Sequence, residues 1–273
     1  FLGIENVMAL RGDAPKGPSG EKLLFTRMPG GYAHANELIE QIINLRKGAY
    51  VGAKEGDPID FSIGAACYPE GHPESLSPQE ELRWLKAKAD AGAEYLVTQM
   101  FFDNDVYKRF VEKTRKLGIE IPIVPGIKPL TSRKHLESLP STFHCTIPER
   151  LGREVLKHGD DEKSIRKIGV DWCIDQCRDL ISYGASGIHI YATRSPAIRE
   201  VVERILWDPP SRNSSLGACA TSIRFSGHLS TKSSQGYVLR KCLSQGRVYG
   251  SKDVSEVASN HCDRSSDYNA SLK

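Results

Sequence analysis

What most constrains the fold is a regular alternation of short apolar runs with helix-period segments, in which polar residues begin where each apolar run stops. The pattern predicts strands over Ile4–Leu10, Phe61–Ala66, Tyr95–Phe101, Ile121–Ile127 and Gly187–Tyr191. Between and after them it predicts helices over Ala33–Arg46, Pro78–Ala91, Asn104–Lys116, Thr131–Leu139, Lys163–Tyr183 and Pro196–Leu206. Five βα units of this kind imply a parallel sheet with right-handed crossovers, either doubly wound or closed as a (β/α)8 TIM barrel. No GxGxxG follows a strand, and the strands end in polar residues, which favours the barrel. Five units do not close one. The chain therefore reads as an incomplete barrel covering roughly its last five βα units, with three upstream units expected elsewhere and poor stability expected without them.

From Trp207 onward Ser, Gly, Asn and Lys dominate, and apolar pieces such as Gly236-Tyr237-Val238-Leu239 are short. Such a composition buries too little apolar surface to offset its ordering entropy. Residues 1–206 thus read as barrel, and residues 207–273 as a low-order tail or a gene-model artefact.

A net charge of +3 in 273 residues is too small and too dispersed to indicate nucleic-acid binding. No apolar run approaches the roughly 20 residues needed to cross a bilayer, so no membrane span is expected. The N-terminus, Phe1-Leu2-Gly3-Ile4-Glu5, lacks the basic and apolar regions of a signal peptide. Seven cysteines without CxxC or Cys/His metal spacing fit a reducing, cytoplasmic setting, and no metal site is expected. Cys173 and Cys177 share a predicted helix face, where packing is favoured over redox chemistry.

The polar strand ends carry the chemistry. Leu10-Arg11-Gly12-Asp13 combines a cation, a residue that lets backbone approach a ligand closely, and a carboxylate. Tyr68-Pro69-Glu70-Gly71-His72-Pro73-Glu74 follows the next strand, where an aromatic or imidazole ring can stack or hydrogen-bond. Glu81, Trp84, Ala87 and Lys88 fall on one helical stripe, and Lys88 is suited to neutralising a phosphate. Gln99 ends an otherwise apolar strand and is hard to explain as core. Its amide can donate and accept at once. Phe101 and Phe102 read as core and pocket wall.

These segments, together with Lys88-Ala89-Asp90-Ala91-Gly92-Ala93, Thr98-Gln99-Met100-Phe101-Phe102-Asp103 and Pro125-Gly126-Ile127, resemble the methylenetetrahydrofolate reductase family in order and spacing over roughly residues 1–206. The resemblance implies an FAD-containing barrel that passes hydride from NADH or NADPH through the flavin to 5,10-methylenetetrahydrofolate, giving 5-methyltetrahydrofolate. It implies FAD contacts at Arg11, Gly12, Asp13, Tyr32, Ala33, Tyr68, His72, Ser75, Glu81 and Lys88. It implies folate or nicotinamide contacts at Asp13, Gln99, His135, Leu139 and Arg194, with Asp13 acting at the flavin and pterin. Homo-oligomerisation is left open.

The chain departs from the family pattern at several places. Glu81 stands where Asp is common, Trp84 and Ala87 where polar residues are, and His135 where Gln is. His189-Ile190-Tyr191-Ala192-Thr193-Arg194-Ser195 replaces a Tyr-Thr-Leu-Asn-Arg pattern, moving the Arg by one residue. The family's proton-donating Glu lies on a strand upstream of these residues. General acid catalysis contributes about 10²–10⁴-fold, so little activity is expected from this chain alone. Two alternatives stand beside this reading: another flavin barrel, such as a proline dehydrogenase-like enzyme, and a non-catalytic truncated product.

Overall fold

The structure, a computed structural model, describes residues 4–12, 14–15, 17–21, 23, 25–192, 195–207, 223–226 and 235–241. It is an α/β fold whose strands β1 (Asn6–Ala9), β4 (Ser62–Cys67), β5 (Tyr95–Thr98) and β6 (Ile123–Val124) run parallel in that order. A short hairpin of β2 (Ala49–Tyr50) and β3 (Lys54–Glu55), which the sequence pattern did not reveal, fills the connection after the first helix. Pro125 then interrupts the strand. Having no N–H, it cannot donate to a ladder, and the chain changes neighbours there. β6 pairs with β5, whereas β7 (Gly126–Ile127) pairs in parallel with β8 (Gly187–Ala192).

Beyond β8 the sheet continues antiparallel. β10 (Gln235–Lys241) pairs with β8 from Gln235↔Ala192 to Arg240↔Gly187, and β9 (Ile223–Ser226) pairs with β10. The apolar piece Gly236–Leu239, expected in a low-order tail, lies within β10. Among the described residues the strands form no closed barrel.

The helices are α1 (Ala35–Leu45), α2 (Pro78–Asp90), α3 (Asn104–Lys116), α4 (His135–Phe143), α5 (Glu149–Lys157), α6 (Glu162–Tyr183) and α7 (Pro196–Trp207). Their starts follow local chemistry. The Ser77 hydroxyl accepts the Glu80 N–H ahead of Pro78, and Asp103 and Asp161 cap α3 and α6 in the same way. Helix α5 was missed in the sequence. It is short, and only Leu151 and Val155, one turn apart, are buried. No helix among the described residues is long and apolar enough to cross a membrane.

Alternation along the strands sorts the two sheet faces. Ile63, Ala65 and Cys67 of β4, Leu96 of β5, Ile127 of β7, and Ile188 and Ile190 of β8 pack with Ile39, Leu85, Phe110 and Ile174 of the helices. Cys173 and Cys177 are buried in this same core. A second cluster gathers Met100, Phe102, Leu130, Leu139 and Val155. Residues of the opposite parity face away from the helices, and on β8 these are His189 and Tyr191, whose rings meet edge to face at 4.6 Å.

Burial pushes His189 down from 6.5 to about 4. Its protonation is thus easier in the unfolded chain, and stability is lost as pH falls from 6.5 towards 4. In that window the stability measured by denaturant titration should fall with a slope approaching about 1.4 kcal/mol per pH unit from this group. His189→Gln should flatten that part of the profile.

Candidate active site

Parallel strands deliver their C-terminal ends to one edge of the sheet, and a cleft of about 390 Å³ opens there. Its walls are Ala9 at the end of β1 and Leu10–Gly12 after it, His34–Asn36 at the start of α1, Ala66 and Tyr68 at the β4 end, and Glu80, Glu81, Trp84 and Lys88 along α2. A second cavity of about 670 Å³ lies against it. The two share Tyr68, His72, Ser75 and Glu81.

Glu81 organises the loop between β4 and α2. Only 6% exposed, its carboxylate accepts the His72 N–H at 3.2 Å and the Ser75 hydroxyl at 2.8 Å. Glu80 accepts the Leu76 N–H at 2.7 Å, and Arg11 grips Glu74 through two bonds of 2.6 and 2.7 Å. That fork holds the Glu74 carboxyl below its usual range. Arg11 also lies over the Phe25 ring, 4.4 Å from its centroid. Each of the three cleft carboxylates is therefore already satisfied by a protein donor.

The cations differ in setting. The Lys88 ammonium donates to the Ala66 carbonyl at 2.9 Å and sits 5.7 Å from the Tyr68 ring centroid. Burial pulls its pKa down, opposed by Glu81. His72 is lowered by burial, against the pull of Glu74 and Glu81. Its Nδ1 accepts the Glu74 N–H at 3.1 Å, which leaves the proton of the neutral ring on Nε2. At the start of α1, His34 gives the first turn no side-chain cap and stacks on Trp84 at 4.3 Å. The open first-turn amides and the positive end of the helix dipole thus border the cleft. Gly12 adopts φ +83°, a conformation that disfavours a side chain, with open space where its Cβ would be.

Most of the expected FAD-contact residues meet here: Arg11, Gly12, Tyr68, His72, Ser75, Glu81 and Lys88. Tyr32 and Ala33 do not line the cleft. Helix α1 begins two residues later than the spacing predicted, so the Tyr32 hydroxyl bonds Gln41, the Ala33 N–H bonds Glu37, and His34–Asn36 take their place. Ala87 is likewise outside the lining, whereas Trp84 is in it. Asp13 and Arg194 lie outside the described residues.

Gln99 follows β5 directly, and its N–H donates to the Cys67 carbonyl at 2.7 Å, which seats it beside the start of the Tyr68 loop. Its side-chain oxygen accepts the Met100 N–H at 2.9 Å. The acceptor half of the amide is committed, and the NH2 half remains as donor. His135 opens α4, where Nδ1 accepts the Thr131 N–H at 3.1 Å. Burial and then Lys128 lower its pKa. Lys128, itself lowered by burial, directly follows β7 and was missed in the sequence, although the rule of polar residues at strand ends points to it. Leu139 is 4% exposed and packs among Met100, Phe102 and Leu130, so its side chain belongs to the second core cluster and does not line the cleft.

The sequence profile of the family described as "Methylenetetrahydrofolate reductase" matches residues 1–206. The chain is 35% identical over 213 residues to "Probable methylenetetrahydrofolate reductase (NADPH)" of Caenorhabditis elegans, covering 76% of this chain and 29% of the worm protein. It is 33% identical over 198 residues to "Methylenetetrahydrofolate reductase (NADH) 1" of Arabidopsis thaliana, covering 69% and 31%. It is 33% identical over 189 residues to "5,10-methylenetetrahydrofolate reductase" of Escherichia coli, covering 69% and 56%. The chain thus spans about three-tenths of these eukaryotic relatives and just over half of the bacterial one.

Removing the Glu81 carboxylate leaves two loop donors without their acceptor. Glu81→Ala should cost about 1–3 kcal/mol of stability in denaturant titration, and Glu81→Gln, which keeps one acceptor oxygen, should cost less.

Proposed function

The chain belongs to the methylenetetrahydrofolate reductase family, and from that premise we propose that residues 1–206 form the flavin- and pterin-facing part of a (β/α)8 barrel. The barrel would reduce 5,10-methylenetetrahydrofolate to 5-methyltetrahydrofolate. In this reading FAD, when bound, supplies the redox centre between a nicotinamide donor and the folate. The relatives' names include both NADPH and NADH, and the reading takes either as the donor.

The observation that carries the reading is the cleft beside Lys88. A dinucleotide cofactor brings a pyrophosphate, which calls for cations and backbone amides, and flat rings, which call for aromatic surfaces. The residues fit that demand. Lys88, Arg11 and the open first turn of α1 border one space, Gly12 offers its backbone without a Cβ, and the stacked His34–Trp84 pair gives a flat wall. The cleft carboxylates are occupied by donors of their own, which limits their opposition to an anion.

Around the reaction itself the residues hold and orient. Gln99, with its oxygen committed to Met100, offers an N–H to a carbonyl oxygen of a pterin or a nicotinamide carboxamide. Lys128, directly after β7, would supply the positive charge that a folate carboxylate meets, with the neutral His135 ring at the start of α4 beside it. Asp13 and Arg194 are assigned to the pterin and the folate tail through the family pattern. Four buried free thiols, Cys67, Cys145, Cys173 and Cys177, accord with a cytoplasmic setting.

The test is the visible absorbance of the chain after incubation with FAD and desalting. Bound flavin is expected, with Lys88→Ala weakening FAD affinity by about tenfold or more, as for loss of a charge-assisted bond. Absence of bound flavin in the unmodified chain, or equal retention by Lys88→Ala, would remove the cleft from the reading.

A further inference from the structure

Three strands are tied together at one point behind Gln99. The buried Thr98, last residue of β5, accepts twice. Its hydroxyl oxygen takes the Gly126 N–H at 2.8 Å, and its carbonyl oxygen takes the Tyr191 hydroxyl at 2.8 Å. The Tyr191 ring reaches β5 from β8 by crossing over β7, and Gly126 is what lets it pass. A Cβ on residue 126 would stand 2.3 Å from the Thr98 carbonyl oxygen and 2.5 Å from the Tyr191 ring.

Sheet pairing does not explain this arrangement. Residues 126 and 127 of β7 pair with β8, not with β5, so the ladder between β5 and its neighbour stops at Val97↔Val124. Thr98 has no ladder partner on that side. The Tyr191 hydroxyl and the Gly126 amide replace the missing rungs, one residue before the amide read as facing the ligand. The Thr98 carbonyl carbon is bonded to the Gln99 nitrogen, so orienting that peptide group sets the direction in which the Gln99 side chain leaves the strand. The Gln99 N–H is held on the opposite side by Cys67 and its side-chain oxygen by Met100, which leaves the Tyr191 bond as the remaining control on that peptide plane.

We propose that Tyr191 is a positioning residue for Gln99, acting through the Thr98 carbonyl and the gap left by Gly126. It aims the Gln99 NH2 group at the carbonyl-bearing ring of the ligand. The assignment rests on reading Gln99 as ligand-facing.

Tyr191→Phe deletes the hydroxyl and keeps the ring. Tyr107→Phe is the matched control, because the Tyr107 hydroxyl likewise donates to a strand carbonyl, that of Ile123 at 2.7 Å, but not next to Gln99. The readouts are the side-chain amide resonances of Gln99, identified by their loss in Gln99→Ala, and the equilibrium binding of 5-methyltetrahydrofolate. Tyr191→Phe is expected to move the Gln99 resonances and to weaken binding about 3- to 10-fold, the range of one net hydrogen bond. That loss should vanish in a Gln99→Ala background. Tyr107→Phe should leave both readouts in place. Unmoved Gln99 resonances in Tyr191→Phe, or equal movement in Tyr107→Phe, overturn the positioning role whether or not the chain binds folate. Unchanged binding in Gln99→Ala overturns the reading of Gln99 itself, and with it the inference.

Discussion

The rest of the structure depends on the two-residue alternation of the strands. Burying one parity of β4, β5, β7 and β8 against the helices spends the apolar residues there and turns the other parity towards the open face. Gly64, Gln99, Gly126, His189 and Tyr191 sit on positions that pay no part of the main core. They are accordingly small, polar or aromatic, and Tyr95 packs over Gly64 much as Tyr191 packs over Gly126. A slip of one residue in any strand would bring Ile or Leu to that face and bury its polar groups.

At the strand ends the second constraint is electrostatic. The cleft holds three carboxylates and two cations, and their mutual screening is local. Glu81 is satisfied by an N–H and a hydroxyl, Glu80 by an N–H, and Glu74 by Arg11. A buried charge is tolerable only when such partners are in place. The cations are then held near fixed partners as well, Lys88 at Ala66 and Arg11 at Glu74, so the site's charge is arranged by the fold before any ligand arrives.

Much of this was legible in the sequence for a physical reason. Strands and long helices carry their period in every turn, and the polar residues that stop a strand are the ones its end presents. Arg11, Tyr68 and His72 were found at strand ends and Lys88 on a helical stripe, and they meet in one cleft. What was not legible depended on a single bond or on exact phase. The start of α1 turns on whether His34 or a residue before it leaves the helix, and the shift of two residues exchanges Tyr32 and Ala33 for His34–Asn36. Leu139 has the same apolar character whether it faces a ligand or a core, and the packing of α4 against Phe102 and Met100 decides it. The hydrogen bond of Tyr191 to Thr98 spans 93 residues, and no local pattern encodes it.

The loop from Tyr68 to Ser75 is a wall between two rooms, since the two cavities share Tyr68, His72, Ser75 and Glu81. Anything that leans on the wall from one side changes the dimensions of the other. By linkage, an occupant of the larger room that displaces the wall alters affinity in the smaller one by the same factor with which the smaller room's occupant alters affinity in the larger. Glu81 is the pin of that partition, holding the wall through the His72 N–H and the Ser75 hydroxyl.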